Sequence, residues 1–315
     1  MDHLGHGLAL DHAIFRRPFP ATFEWTELPR QKEHEGFTSP LHPRGVGETL
    51  RLAAFETGKP EVPNPTLVAH EGFFTDVPGF ENLAEGHSAK VLGSLSLARQ
   101  GRYFYWGYAI DPARMTAGAK DTLCNVLHYM IGFRGEETVP FVCKTRESLR
   151  TFTWLGRETG YRRGLEEHIP GSLTPKWRET WVPTWEGLDA WMAKHLPYVF
   201  SGKGPEHAGE RYKTIYEVDE DAMALGTPNG ARASLERWMA LAGGEGEDAA
   251  RARRCLARYV LPEIAPADGK WDVWYARYRD RIVFVESAGF WWREDPRILE
   301  RERRASAAGA PTSPR

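Results

Sequence analysis

RQGRYFYWGYAIDPARMTAGAKDTLCNVLHYMI, residues Arg99–Ile131, reads in order as a strand, a loop and an amphipathic helix. Tyr103–Tyr108 is an aromatic run bounded by glycine, the pattern of a buried strand, and is expected to lie centrally in its sheet. Thr116 is placed to cap a helix whose apolar residues Ala119, Leu123, Val126, Leu127, Met130 and Ile131 recur at helical spacing. Leu123 and Leu127 are therefore expected to face a core. No nucleophile turn, metal cluster or phosphate loop accompanies this stretch.

Working outward, residues 1 to about 135 read as mixed α/β with long loops, because eight prolines between Pro18 and Pro65 interrupt any early helix. Leu50–Phe55 and Thr66–Val68 are strand candidates. Gly132 and Gly135 mark the end of the quoted helix. Residues 136–180 form a connector with little periodicity. From 181 to 304 the chain is Trp-rich and mainly helical: helices are expected over 185–196, about 235–242, 247–260 and 271–278, with a hairpin from Ile282–Glu286 to Phe290–Arg293. Leu188–Lys194 (LDAWMAK) and Trp271–Arg277 (WDVWYAR) align without a gap, and each precedes strands and an acidic turn. This suggests an internal repeat of helix, strand, strand, unless both copies merely share a common helical pattern. A tail rich in Ala, Ser, Gly and Pro, 305–315, is expected to be disordered.

At 315 residues and 41% hydrophobic content the chain can form about two globular domains. A formal charge of -2 gives no reason to expect nucleic acid or an anionic membrane as partner. A carbohydrate or a protein remains as a ligand class. Three widely spaced cysteines, Cys124, Cys143 and Cys255, argue against a disulfide framework. The first 17 residues lack a signal-peptide pattern, and no apolar run approaches the ~20 residues needed to span a bilayer. The expectation is a soluble, cytoplasmic protein as written, or a secreted one if a signal-bearing extension lies upstream.

Three segments carry a family resemblance: Asp11–Phe19 (DHAIFRRPF), Gly101–Tyr108 (GRYFYWGY) and Asp111–Thr116 (DPARMT). They resemble the later half of the ThuA-like, class I glutamine-amidotransferase-like domain, in bacterial proteins that also carry a Trp-rich C-terminal region. The resemblance implies a partial amidotransferase-like, flavodoxin-like sheet layer, followed by the helical region with its short hairpins. A complete domain of that kind has several strand and helix units before the Asp11 segment. The start is then either placed too late, or the domain is degenerate and must cover an exposed sheet edge. The resemblance implies no catalytic residue here, since a glutaminase cysteine belongs on a tight strand-to-helix turn, and none of the three cysteines has that context.

Several residues can nevertheless carry chemistry. His3, His6 and His12, with Asp2 and Asp11, could offer imidazoles and a carboxylate to a divalent metal. Without a defined scaffold the bland reading, a loop-bound terminus, is preferred, and neither a metal site nor a cofactor is assigned. His70, Glu71 and His87 are the acid–base candidates, with Lys90 as a ligand-binding one. Asp111 stands at the C-terminal end of the Tyr103–Tyr108 strand, where ligands of open α/β sheets bind, although Asp-Pro also starts turns. Loops over residues 71–76 and 85–90 could converge on it. Most tryptophans fall on apolar helix faces and read as core, but Trp291 and Trp292 are strand neighbours, one of which can face a ligand.

Two functions follow. The first is a non-catalytic binding or scaffolding module on a degenerate amidotransferase-like domain. The alternative is a hydrolase or sugar-metabolism enzyme with its site at the end of the 103–108 strand; that analogy is one of fold only.

Overall fold

Alternation along a three-residue strand explains how the N-terminal part is layered. β1 (Leu4–His6) pairs with β3 (Thr49–Ala54) on one side and β5 (Glu81–Gly86) on the other. Successive strand residues face opposite ways. Gly5 lies beneath Tyr108 and Phe55, so closely that an added Cβ would stand 2.3 Å from the Tyr108 hydroxyl. Leu4 packs on the opposite face with Leu28, Val46, Leu50 and Leu52. His6 shares Leu4's side of the strand.

This computed structural model describes residues 3–30, 41–42, 44–58, 69–70, 76–87, 93–150, 185–201 and 216–309. The chain divides into two units, Met1–Val139 with Leu299–Arg315, and Pro140–Ile298. The first holds a seven-stranded sheet. Its order is β2 (Trp25–Pro29), β3, β1, β5, β6 (Ser94–Gln100), β4 (Ala69–His70), with β7 (Tyr103–Trp106) also pairing β6. Every pairing described in it is antiparallel. The mixed α/β class expected from sequence is present, but the parallel order of a flavodoxin-like sheet is not what these strands form. Short hairpin-like connections suit antiparallel neighbours, whereas parallel ones need crossovers of a dozen or more residues.

Helices α1 (Ala13–Arg16) and α2 (Ala117–Met130) cover the Gly5 face, where Ile14, Phe15, Ala53, Phe55, Leu83, Leu97, Ala119 and Val126 form the core. Thr116 caps α2 as expected, its hydroxyl accepting from the Ala119 N–H at 3.2 Å. Two expectations about this region need correction. β7 is an edge strand rather than a central one, and Tyr103 is 63% exposed. Leu127 is 66% exposed and Leu123 only half-buried, so the apolar stripe does not define the buried face of α2. Asn125 sets the helix rotation instead: fully buried, its amide donates to the Ile14 and Phe19 carbonyls at 2.9 and 2.6 Å and accepts from the Phe19 N–H at 2.9 Å. Three hydrogen bonds to the α1 region satisfy a buried amide and outweigh the exposure of one leucine.

The second unit contains α3 (Trp185–His195), β8 (Val199–Ser201), β9 (Tyr216–Val218), α4 (Glu220–Ala224), α5 (Arg232–Ala242), α6 (Glu247–Tyr259), α7 (Trp271–Tyr278), β10 (Ile282–Val285) and β11 (Trp291–Glu294). α8 (Pro296–Gly309) follows β11. The helix predictions of this half hold closely. Element order alone follows the suggested repeat, since α3 and α7 each lead into an antiparallel strand pair and then a buried aspartate. Asp219 donates its N–H to the Tyr198 carbonyl at 2.8 Å, and Asp295 to that of Arg281 at 2.7 Å. Tyr198 and Arg281 are equivalent in the ungapped alignment. Each aspartate then accepts from a helix N-terminal N–H, of Ala222 and Arg297 respectively.

The two tryptophans occupy unrelated environments, the outcome expected if both segments merely share a common helical pattern. Trp274 is buried in the main core of this unit with Trp238, Leu256 and Tyr259, while Trp191 packs on a smaller cluster with Leu149, Leu196 and Tyr216. α8 runs past Ala305, where the tail was expected to begin, because the Arg, Glu and Ala residues of 297–308 are good helix formers. Thr66–Val68 lies outside the described residues. No helix among the described residues is long and apolar enough to cross a membrane.

Candidate metal centre

The three N-terminal histidines part company. His3, at the start of the chain, directs Nδ1 to Glu56, whose other oxygen accepts from Arg114 at 2.9 Å. His12 caps α1 and lies edge-on to Tyr129, with Nε2 4.0 Å from Glu81. Glu81 is itself held by Arg99 at 2.6 Å and Tyr129 at 2.9 Å. Burial pulls the His12 imidazole below its usual range and pushes the Tyr129 phenol well above its own. Asp11 pairs with Arg16, and Asp2 lies outside the described residues. These side chains support β1, α1 and α2 through hydrogen bonds and ring contacts.

His6 has a different setting. The β1–β5 register places it directly opposite Glu85, so both side chains rise from one face of the sheet as a cross-strand pair. His42 reaches the same point from the segment between β2 and β3. Nδ1 of His6 stands 2.9 Å from Nε2 of His42, and Oε2 of Glu85 stands 3.4 Å from each. His6 and Glu85 are fully buried, and the His42 side chain is 18% exposed. Burial also lowers the His42 pKa, which favours the neutral imidazole that ligates metals.

Two neighbours shape the cluster. Asn82 donates its amide to Oε1 of Glu85 at 3.4 Å, leaving Oε2 turned to the imidazoles. Gly7, at φ +56°, passes so close that a Cβ there would lie 2.9 Å from His42 Nε2 and 3.4 Å from Glu85 Oε2. A residue without a side chain is needed for both reasons. Around an ion with bonds of ~2.0–2.2 Å, adjacent donors stand ~2.9–3.5 Å apart. The three donor atoms already have that spacing, and they are the one such group found among the described residues.

Those residues singled out from sequence that are described sit in separate elements. His70 pairs through its backbone with Ser94 in β4, and Glu71 and Lys90 lie outside the described residues. His87 follows β5, its N–H bonded to the Leu4 carbonyl at 3.1 Å. Asp111 is an exposed turn cap, its carboxylate accepting from the Ala113 N–H at 2.8 Å. Glu85, read as loop, belongs to β5. Trp292 is buried in the second unit's core, and Trp291 is half-buried. A groove of about 580 Å³ in that unit is lined by Arg232, Glu236, Tyr275, Arg279 and Asp295. Its polar groups already serve the fold, with Arg232 bonded to the Arg279 and Ile282 carbonyls and Tyr275 to Glu236.

Sequence reasoning missed His42 and Glu85. The one available signal was alternation in His3–Gly7, which separates His6 from Gly5; the partners come from residues 36 and 79 positions further on. Comparison with protein-family models, with curated proteins and with solved structures gave no match.

Proposed function

We propose that the first unit binds a divalent transition-metal ion through His6 Nδ1, His42 Nε2 and Glu85 Oε2, and that the protein acts as a metal-dependent binding module. The observation that carries this reading is the spacing of 2.9 to 3.4 Å among three donor atoms brought from three separate segments. Two imidazoles and a carboxylate suit zinc, iron or cobalt better than calcium or magnesium, which prefer all-oxygen shells. Asn82 acts as the orienting partner that a ligating carboxylate needs.

Kinship with ThuA-like, amidotransferase-like proteins enters this reading only through Asp11–Phe19 and Gly101–Thr116, and it contributes no ligand. The expected scaffolding role is compatible with such a centre.

The test is equilibrium dialysis of the full chain against Zn²⁺ and Co²⁺, with metal content measured by atomic absorption. Wild type should bind one equivalent. His42→Ala and Glu85→Gln should lose it, and Asn82→Ala should weaken it by ~10–100-fold. Far-UV circular dichroism establishes that each variant is folded. A folded wild type that binds no stoichiometric metal, or a His42→Ala protein that binds it equally well, overturns the proposal.

A further inference from the structure

We propose that His12 is a proton-responsive cap: in mild acid its ring gives up the Ile14 N–H and the start of α1 loosens. None of the three proposed metal ligands takes part.

The cap is made by a side chain that can take up a proton. Ser, Thr and Asn, common at this position, keep an acceptor oxygen at any ordinary pH. His12 has the extended backbone of an N-cap, φ -72° and ψ 150°, and its Nδ1 accepts from the Ile14 N–H at 3.4 Å. An accepting Nδ1 is deprotonated, so the neutral ring carries its hydrogen on Nε2. That nitrogen faces Glu81 at 4.0 Å, beyond hydrogen-bond reach. An imidazolium carries a hydrogen on both nitrogens. Protonation therefore turns Nδ1 from acceptor into donor, and two donors then face each other at the cap.

The groups around the ring do little to hold the added charge. Glu81, from β5, is already engaged, since Arg99 of β6 donates to it at 2.6 Å and Tyr129 of α2 at 2.9 Å. Tyr129 meets the ring edge-on. Asp11 and Arg16, on the ring's own segment, pair with each other. Burial pulls the imidazole below its usual range against the attraction of Glu81, and Arg99 adds to that pull.

Core packing depends on this cap. Ile14 and Phe15 of α1 are buried, and the Ile14 carbonyl accepts from the buried Asn125 of α2 at 2.9 Å. With the folded pKa below the usual 6.5, the unfolded chain binds more protons than the native one. The contribution of the cap is then complete above that value and disappears as the pH falls through the folded one.

The experiment uses the full chain carrying ¹⁵N-labelled isoleucine. Hydrogen-exchange protection of the Ile14 amide, corrected for the intrinsic rate at each pH, is compared between wild type and His12→Asn near pH 7.5 and near pH 5. Asn caps equally well at both. Between the two conditions the protection of wild type relative to the variant should fall by roughly two- to thirty-fold, the span of a lost N-cap. A ratio that stays constant overturns the proposal. A ratio that rises in acid overturns it too, because attraction to Glu81 then outweighs the cap. Titration of the His12 ring in wild type, followed by NMR, decides the matter even if the variant does not fold: a midpoint below 6.5 with loss of Ile14 protection supports the device, and one at or above 6.5 overturns it.

Discussion

His6 and Glu85 stand directly opposite one another in the β1–β5 ladder, with Nδ1 3.4 Å from Oε2 and neither side chain exposed. A directly opposed antiparallel pair has its Cβ separation set by the backbone at ~4.5–5.5 Å, so this half of the centre is as rigid as the sheet. His42 arrives from outside the ladder, 36 residues along the chain from His6. Two donors are thus fixed by strand register, and the third depends on how the β2–β3 connection is held.

Gly7→Ala should damage the centre without touching a ligand. The positive φ disfavours an L side chain by ~1–2 kcal/mol, and the new Cβ would press on His42 Nε2 at 2.9 Å. Chemical denaturation should show that loss of stability, and dialysis should show weaker metal binding. Wild-type affinity in the variant would mean that His42 can retreat and still ligate.

Asn125→Ala should destabilise the first unit by ~1–3 kcal/mol, because the Ile14 carbonyl and the Phe19 N–H and carbonyl lose their partner. Leu127→Ala, at an exposed site on the same helix, should cost far less. Urea unfolding of the two variants compares a buried polar anchor with an apolar residue that sequence periodicity favours. Equal losses would contradict the observed rotation of α2.

Thiol reactivity should separate the three cysteines. Cys124 is exposed, Cys143 is buried, and burial together with neighbouring Asp219 pushes the Cys255 thiol up to about 12. Ellman's reagent at pH 8 should modify one thiol rapidly in the native protein and all three after denaturation. A second fast-reacting thiol in the native state would show that one of the cores opens.

The Asp221–Arg254 pair predicts a pH dependence. Arg254 donates to both carboxylate oxygens, at 2.8 and 3.0 Å, and holds the Asp221 pKa below its usual 3.8. A depressed folded pKa contributes stability above the unfolded value, and that contribution disappears as the pH falls through the folded one. The stability gap between wild type and Arg254→Ala should therefore be constant from pH 7 down to about 3.8 and close below it. Arg254 is about half exposed, so the gap should be small and should shrink with added salt.

Elements whose cause is local were legible in the sequence. Thr116 capping α2, the 3.6-residue spacing of α5, α6 and α7, and the β10–β11 hairpin around Gly289 all depend on residues within a turn or two of one another. The face of α2 was misread because periodicity counts apolar residues, whereas the helix turned on three hydrogen bonds from one buried amide, Asn125. Sheet order was misread because an aromatic run looks the same on an edge as in the centre; only pairing with β6 reveals which it is.

The candidate centre lay furthest from what the sequence by itself determined. It determined a two-part α/β chain with a Trp-rich helical half, since composition and short-range periodicity carry that information. Only the tertiary structure decided that His6, His42 and Glu85 meet, and that His3 and His12 go elsewhere. The register of β1 against β5, with its period of two, selects which histidine faces a carboxylate 79 residues away. A shift of one residue would have turned His6 to the opposite face of the sheet.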